Sequence, residues 1–273
     1  MTRPSTRSPT PQAASPATDP RLTYEQPLNE RIRGFLRLES LFDQFRERVQ
    51  GLSEWDSRAG LERLIELTEI LGRSDFKGDV IKELDRQSAA LSRLQSNPGV
   101  DGQRLDEVLN GINTIAASLK DPNYQPGQTV RQDELVTAVR QRLAIPGGTC
   151  SFDLPALHFW LKRPVAKRNR QLEHWFADLQ VISEGISLAL KILRDSSYPV
   201  QCTARGGFYQ QSLENNSCSQ LLRVRISAAE GLFPEISASR HRFTVRFLEQ
   251  SDTAMRASQT TRDIGFDLQC CVL

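Results

Sequence analysis

Histidine and cysteine are the residue types best suited to metal binding and nucleophilic catalysis, and the chain has three histidines and five cysteines. His158, His174 and His241 each lack a second His or Cys at metal-ligand spacing, so we expect no metal site. The cysteines are Cys150, Cys202, Cys218, Cys270 and Cys271. Their odd number and the absence of a C-x-x-C spacing disfavour a disulfide framework. A role for the adjacent pair Cys270–Cys271 is left open, because a bridge between neighbours would be strained.

Phosphate-binding loops and nucleophile motifs would indicate an enzyme. The sequence has no G-x-x-x-x-G-K-[ST] loop, and Gly147-Gly148 is followed by Thr149-Cys150 rather than by a lysine. It also has no G-x-S-x-G elbow. Acidic residues that share a helical face, such as Glu62 and Glu66, are typical of a solvated surface. We therefore predict no catalytic residues, no cofactor and a binding function.

Arginine is the cation of the C-terminal part of the chain. Residues 197–273 contain eight Arg, no Lys and seven Asp or Glu. Arg223 and Arg225 alternate with apolar residues and share one polar face, and Arg240, Arg242 and Arg246 share another. A guanidinium group can hold a carboxylate with two parallel hydrogen bonds, so these faces suit an acidic peptide or a phosphate. The alternative is an ordinary solvated face with local ion pairs.

A second group of arginines lies between residues 29 and 48, and its members are Arg31, Arg33, Arg37, Arg46 and Arg48. Arg37 differs from the others because Leu36 and Leu38 flank it within an apolar stripe. His158 is similarly placed between Leu157 and Phe159-Trp160. The residues alone leave open whether His158 is a packed, hydrogen-bonded histidine or a binding residue.

Apolar residues recur every three or four positions from about residue 32 to residue 194, which predicts helices. Asn29 is suited to cap the first of them, and Asp153 is expected to cap a short helix that has Pro155 in its first turn. Other helices are predicted near residues 61–71, 80–94, 105–119 and 131–143. Residues 165–194 are predicted to form one long helix, whose apolar residues supply core and dimer interface.

Alternating apolar and polar residues replace this pattern in segments 222–226, 241–247 and 264–268, which predicts antiparallel strands. A separate strand at residues 22–26 would be unstable alone, so we expect it to join the C-terminal sheet. The predicted fold is α+β. A helical domain of six to seven helices spans residues 21–196, and a small antiparallel β-domain spans residues 197–273.

The first 20 residues contain five Pro and seven Ser or Thr, so we expect them to form a disordered tail. No segment approaches the roughly 18 apolar residues that a membrane helix requires. The N-terminus has no apolar signal region, so we expect a cytoplasmic protein that does not enter a membrane. The net charge of +2 does not indicate a nucleic-acid partner.

Several motifs resemble the ZapD family. The first are Tyr24-Glu25-Gln26-Pro27-Leu28-Asn29-Glu30-Arg31, Phe35-Leu36-Arg37-Leu38-Glu39 and Lys82-Glu83-Leu84-Asp85-Arg86-Gln87. The most specific block comprises Val139-Arg140-Gln141-Arg142-Leu143, Ile145-Pro146-Gly147-Gly148, Cys150-Ser151-Phe152-Asp153-Leu154-Pro155, Leu157-His158 and Trp160. Further matches are Gly207-Phe208-Tyr209-Gln210, Arg242-Phe243 and Arg246-Phe247. They occur in order from about residue 22 to residue 271, and residues 1–20 lie outside them.

The resemblance implies a cytosolic homodimer that binds the C-terminal tail of FtsZ, the bacterial division tubulin. It also implies that the dimer cross-links FtsZ filaments at the mid-cell division ring, without catalysis or a cofactor. The tail-binding residues that it implies are Arg37, His158 and Arg242, with Arg131 as a weaker addition. Where the family pattern would place another basic residue near the fifth helix, this chain has Glu134. Whether Arg131 replaces that residue is left open.

A nucleic-acid-binding protein that uses the arginine-rich strands is the main alternative. Proteins that bind single strands stack bases on exposed aromatic side chains, and here aromatic residues do not interleave with the arginines in this way. The net charge is also close to neutral. We therefore favour a peptide partner and expect no nucleic acid.

Overall fold

A computed structural model describes residues 20–213, 219–239 and 241–273. In these residues one short strand is followed by a run of helices and then by antiparallel strands, so the α+β prediction is confirmed. The predicted N-terminal tail, up to residue 19, lies outside the described residues. Two side chains singled out in the sequence, Cys218 and Arg240, lie outside them as well.

The described chain divides into two compact units. The β-unit comprises residues 20–26, 199–213, 223–239 and 241–269. The helical unit comprises residues 27–198, 219–222 and 270–273. Its two C-terminal pieces add Leu221 and Cys271 to its hydrophobic core.

Nine α-helices lie within the described part of the helical unit: α1 (Glu30–Gln50), α2 (Glu54–Arg73), α3 (Phe76–Ser92), α4 (Gly102–Lys120), α5 (Gln128–Gln132), α6 (Glu134–Leu143), α7 (Pro155–Leu161), α8 (Val165–Phe176) and α9 (Gln180–Asp195). Asn29 caps α1 as predicted, since its Oδ1 accepts a hydrogen bond from the Ile32 amide at 2.9 Å. The apolar stripe of α1 is buried, with Phe35, Leu38 and Phe42 fully enclosed.

The long helix predicted over residues 165–194 is wrong, because a 3₁₀ turn at Ala177–Leu179 separates α8 from α9. Two tertiary contacts fix this break. Asp178 within the turn accepts a hydrogen bond from the Thr129 amide at 2.7 Å. The Ile182 amide, in the first turn of α9, donates to the Tyr124 hydroxyl at 3.1 Å.

The helix predicted over residues 131–143 is likewise interrupted, at Asp133. Oδ1 of Asp133 caps α6 by accepting from the Val136 amide at 3.1 Å, and Oδ2 accepts from Nε1 of Trp175 at 2.9 Å. The cap predicted at Asp153 is also wrong. The residue before α7 is Leu154, although Pro155 does occupy the first turn.

The strands are β1 (Arg21–Pro27), β2 (Val200–Ala204), β3 (Phe208–Ser212), β4 (Ser219–Ser227), β5 (Leu232–Ala238), β6 (Arg242–Glu249), β7 (Ser258–Gln259) and β8 (Ile264–Val272). One sheet has the order β1-β4-β8-β2, so the prediction that the N-terminal strand joins the C-terminal sheet is confirmed. The other has the order β3-β6-β5, with β7 also paired to β6.

The two sheets pack through aromatic side chains within the β-unit. The Phe266 ring of β8 lies 5.1 Å from the Phe247 ring of β6 and 5.3 Å from the Tyr209 ring of β3. Gly206 and Gly207 connect β2 to β3 with φ values of 53° and 71°. The turn predicted at this pair is confirmed, and both residues have the left-handed backbone conformation that favours glycine.

Candidate functional site

The arginines of α1 differ in whether a carboxylate already neutralises them. Four of them are ion-paired: Arg31 with Glu83, Arg33 with Glu30, Arg46 with Asp43 and Arg48 with Asp56. Arg37 is exposed and, within the described residues, forms no ion pair and no side-chain hydrogen bond. Arg37 is thus the arginine of α1 that can bind a ligand without first breaking an internal pair.

His158 is an exposed residue of α7, so it is not the packed histidine that the sequence left open. It lines a groove of about 390 Å³, which also involves α2 and the loop before α7. Trp55, Arg58, Leu161, Lys162 and the acidic Glu54 also line this groove. The groove therefore combines an indole surface with basic groups.

Aromatic side chains in and beside this groove are exposed to an unusual degree. Trp55 is 73% exposed, and Phe159, next to His158, is 66% exposed. The guanidinium of Arg58 lies 5.8 Å from the Trp55 ring, and that of Arg163 lies 5.4 Å from the Phe159 ring. Exposed rings beside cations suit a peptide that carries both apolar and acidic side chains.

The cations of the His158 groove are partly neutralised. Nε of Arg58 donates to Glu62 at 3.0 Å, and one of its Nη atoms donates to the Thr149 hydroxyl at 2.6 Å. Lys162 pairs with Glu54 at 2.9 Å. We therefore attribute apolar and orienting contacts to this groove more than charge.

Arg131 lies elsewhere in the helical unit. It lines a groove of about 590 Å³ with Lys77 and Tyr124, and its Nη2 donates to the Pro126 carbonyl at 2.8 Å. Glu134 is exposed in the first turn of α6. Arg131 and His158 thus line different grooves, and Arg37 lines neither of these two.

The interpretation of Arg223 and Arg225 as a face for an acidic ligand is wrong, because both form the local ion pairs of the alternative interpretation, in a partly buried rather than a solvated setting. Both side chains are partly buried and are bound by carboxylates of neighbouring strands. Nε of Arg223 donates to Glu25 of β1 at 2.8 Å, and Nη2 of Arg225 donates to Asp267 of β8 at 3.2 Å. Asp267 also pairs with Arg21. These arginines stabilise the sheet and are not available to a ligand.

Arg242 and Arg246 of β6 have the opposite environment. They are exposed, whereas Phe243, Val245 and Phe247 between and beyond them are fully buried. Neither arginine forms an ion pair or a side-chain hydrogen bond within the described part of the chain. Arg242, the predicted site residue, therefore has unused donors, and Arg246 shares this property.

The motif at residues 82–87 has a structural role that its sequence did not reveal. Glu83 is fully buried and accepts hydrogen bonds from Arg31 at 3.1 Å and Gln87 at 3.0 Å, as well as from Arg86. Burial alone would raise the pKa of Glu83, but the hydrogen bonds and charges of Arg86 and Arg31 outweigh it, so the pKa lies below its ordinary value of 4.5. This network stabilises the helical unit and already occupies Arg31.

Among the residues that the structure describes, no group of three or more His, Cys, Asp or Glu is placed to hold a metal ion. None of the described helices is both long enough and apolar enough to cross a bilayer.

The fold and these sites define an α+β protein in which, among the described residues, Arg37, Arg242 and Arg246 are exposed and form no ion pair, and comparison with known proteins identifies its family. The family model ZapD, described as a cell division protein, matches residues 36–246. Cell division protein ZapD of Methylococcus capsulatus is 44% identical over 252 residues, which cover 92% of this chain and 98% of the relative. The ZapD proteins of Aromatoleum aromaticum and Azoarcus sp. are 39% identical over 254 residues and 37% identical over 252 residues. Those alignments cover 93% and 92% of this chain and 98% and 100% of the relatives. The chain belongs to the ZapD family of cell division proteins.

Proposed function

We propose that this protein binds the C-terminal tail of FtsZ and, as a cytoplasmic homodimer, cross-links FtsZ filaments at the mid-cell division ring. Membership of a cell division family supports a partner in the division machinery. One structural observation carries the proposal to specific residues. Arg37 and Arg242, which the family resemblance implies as tail-binding residues, are exposed and lack internal ion pairs among the described residues, whereas Arg31 and Arg223 are ion-paired.

Ion pairing decides which arginines can serve a ligand. A guanidinium that already holds a carboxylate must lose that partner before it can bind another, and a partly buried partner left alone is costly. An exposed, unpaired guanidinium pays no such cost and can hold a carboxylate of the tail with two hydrogen bonds. Arg37 and Arg242 meet this condition.

His158 supplies a different kind of contact. Its groove contains the exposed Trp55 ring and is flanked by Phe159, so it suits apolar side chains of a short peptide. Arg131 is kept as a weaker contact, since one of its donors is used by the Pro126 carbonyl and it lines a separate groove. Glu134 would repel an acidic tail, which limits binding on that side.

Cross-linking requires two tail sites in one particle, and a homodimer supplies them. Each FtsZ filament offers many tails, so modest affinity at one site becomes strong bundling through high effective concentration. Of the apolar residues in the segment predicted to supply core and interface, Trp175, Ile182 and Leu190 are buried in the helical core, whereas Val181 and Leu188 are only partly buried and are the candidates for the dimer interface. A monomer mass by light scattering would contradict this part of the proposal.

Nucleic-acid binding through the arginine-rich strands is not favoured. Two of the four strand arginines that the structure describes, Arg223 and Arg225, are bound by carboxylates of the same unit. A phosphate backbone would have to displace those carboxylates.

The proposal is tested with a fluorescently labelled peptide that has the sequence of the FtsZ C-terminal tail. This protein is added to the peptide in increasing concentration. We expect saturable binding by fluorescence anisotropy, competition by unlabelled peptide and weaker binding as salt is raised. Absence of saturable binding at low salt would contradict the proposal.

A further inference from the structure

The strand β3 forms one edge of the β3-β6-β5 sheet. Its pairing with β6 is fixed at both ends, since the Leu213 amide donates to the His241 carbonyl and the Phe247 amide donates to the Gly207 carbonyl, both at 2.8 Å. Bonded positions in an antiparallel ladder recur at every second residue. The intervening residues Gln210 and Ser212 therefore direct their amide and carbonyl groups away from β6.

This outer edge of β3 is accessible. Gln210 and Ser212 are exposed, and no strand pairs with that side of β3 in the described residues. Proteins commonly protect such edges with charged residues or proline, because an unpaired edge is a template for another chain. The sequence of β3, Phe208–Ser212, contains neither.

The opposite edge of the sheet is protected. Pro234 of β5 lies opposite Phe247 of β6, whose amide is bonded on the β3 side to Gly207. The backbone nitrogen of Pro234 consequently points away from β6, towards the outer edge of the sheet. Proline has no amide hydrogen to donate there. The difference between the two edges indicates that β3 is kept open for a partner.

The charge beside β3 indicates which partner. Arg242 and Arg246 lie opposite Ser212 and Phe208, on the same exposed face of the sheet. One acidic residue, Glu235, lies opposite Arg246 on the other side, but it forms no ion pair with it. A strand added to β3 would lie about 10 Å from β6, within reach of long arginine side chains.

Two copies of this edge would bring the same arginines towards each other, which disfavours self-pairing. An extended acidic peptide would meet opposite charges and open hydrogen-bonding groups together. We propose that an acidic segment of the FtsZ tail adds as a strand to the outer edge of β3, bonded to the backbone of Gln210 and Ser212, with carboxylates directed to Arg242 and Arg246. This inference rests on the proposed function and specifies how the tail is held in the β-unit.

Hydrogen exchange of the unchanged protein tests the inference first. Addition of the FtsZ tail peptide should slow exchange of the Gln210 and Ser212 amides by roughly tenfold or more, because they become donors to the added strand. The Gln211 amide, which already faces β6, is the internal control and should change little.

A pair of variants tests the same edge by affinity. Gln210→Pro removes the outward amide and leaves the bonds to β6 in place, whereas Gln210→Ala removes only the side chain. We expect Gln210→Pro to weaken binding of the labelled tail peptide by roughly tenfold and Gln210→Ala by less than about twofold. Circular dichroism and thermal denaturation of both variants verify the fold.

The outcomes separate the inference from the proposed function. If the tail binds without slowing exchange at Gln210 and Ser212, strand addition is overturned and tail binding stands. If Gln210→Pro changes the mass in light scattering but not the peptide affinity, the edge binds a second copy and the inference is again overturned. If the unchanged protein does not bind the tail, both proposals fail.

Discussion

Arg223 donates through Nε to Oε1 of Glu25 at 2.8 Å, and this pair joins β4 to β1. The two side chains are only 21% and 19% exposed. Nη1 of Arg223 also donates to Oε1 of Gln269 on β8, at 3.1 Å. A residue that the sequence suggests as part of a binding face thus stabilises a three-strand contact.

Reversal of this charge should destabilise the β-unit. Arg223→Glu places a second carboxylate against Glu25 in a partly buried site, and we expect a loss of about 1–3 kcal/mol in the free energy of unfolding, measured by denaturant titration. The charge swap Arg223→Glu with Glu25→Arg should recover part of that loss. An unchanged free energy of unfolding would show that the pair contributes nothing.

Reversal at the unpaired arginines should instead remove tail binding. Arg37→Glu and Arg242→Glu should each weaken binding of the labelled FtsZ tail peptide by roughly tenfold or more, because a guanidinium donor is replaced by a repelling carboxylate. Fluorescence anisotropy measures the affinity. Thermal denaturation should be nearly unchanged, since both side chains are exposed.

Matched controls separate a defined site from diffuse attraction. Arg104→Glu on α4 and Arg256→Glu in the β6–β7 loop reverse exposed charges that, in the described residues, form no ion pair. We expect both to bind the tail peptide within about twofold of the unchanged protein. Equal weakening by all four reversals would indicate diffuse electrostatic attraction and contradict the site assignment.

The His158 groove should be detectable through Trp55. Trp55 is exposed, whereas Trp160 and Trp175 are buried, so ligand burial should shift the emission of Trp55 to shorter wavelength. His158→Ala should weaken binding of the tail peptide by less than either arginine reversal, because it introduces no repelling carboxylate. If the shift persists in Trp55→Phe, the signal does not come from this groove.

Glu83 predicts an acid dependence of stability. Because its pKa is lowered in the folded protein, its contribution is present above the ordinary value of 4.5 and is lost as the pH falls through the lower folded value. Glu83→Gln cannot titrate, so its melting temperature should be lower at neutral pH and should fall less steeply between about pH 5 and pH 2. Glu107→Gln, on the exposed side of α4, is the control. If the melting temperatures of Glu83→Gln and the unchanged protein fall equally steeply with pH, this role of Glu83 is contradicted.

Local patterns were sufficient to predict the fold class. The apolar period of α1, the alternation in β6 and the Gly206-Gly207 turn each depend on residues close in sequence. The break between α8 and α9 could not be predicted in this way, because it depends on the Thr129 and Tyr124 contacts from other segments. The strand β5 was not predicted either, because it contains Pro234, and proline is tolerated in a strand only at a sheet edge, a position that the local sequence does not reveal.

The site was less predictable than the fold, because availability of an arginine depends on distant partners. Arg223 meets Glu25 across 198 positions, and Arg31 meets Glu83 across 52. Family motifs mark Arg37 and Arg242, but the sequence does not show that they lack such partners. The exposure of the Trp55 ring has no local signal in the sequence and was not predicted.

Co-sedimentation with polymerised FtsZ tests the central claim most directly. Full-length FtsZ and FtsZ without its C-terminal tail are each polymerised, mixed with this protein and pelleted at low speed, which collects bundles rather than single filaments. We expect this protein and full-length FtsZ to pellet together, with loss of bundling when the tail is deleted or when Arg37→Glu is used. Equal bundling of tailless FtsZ, or no bundling of full-length FtsZ, would contradict the account.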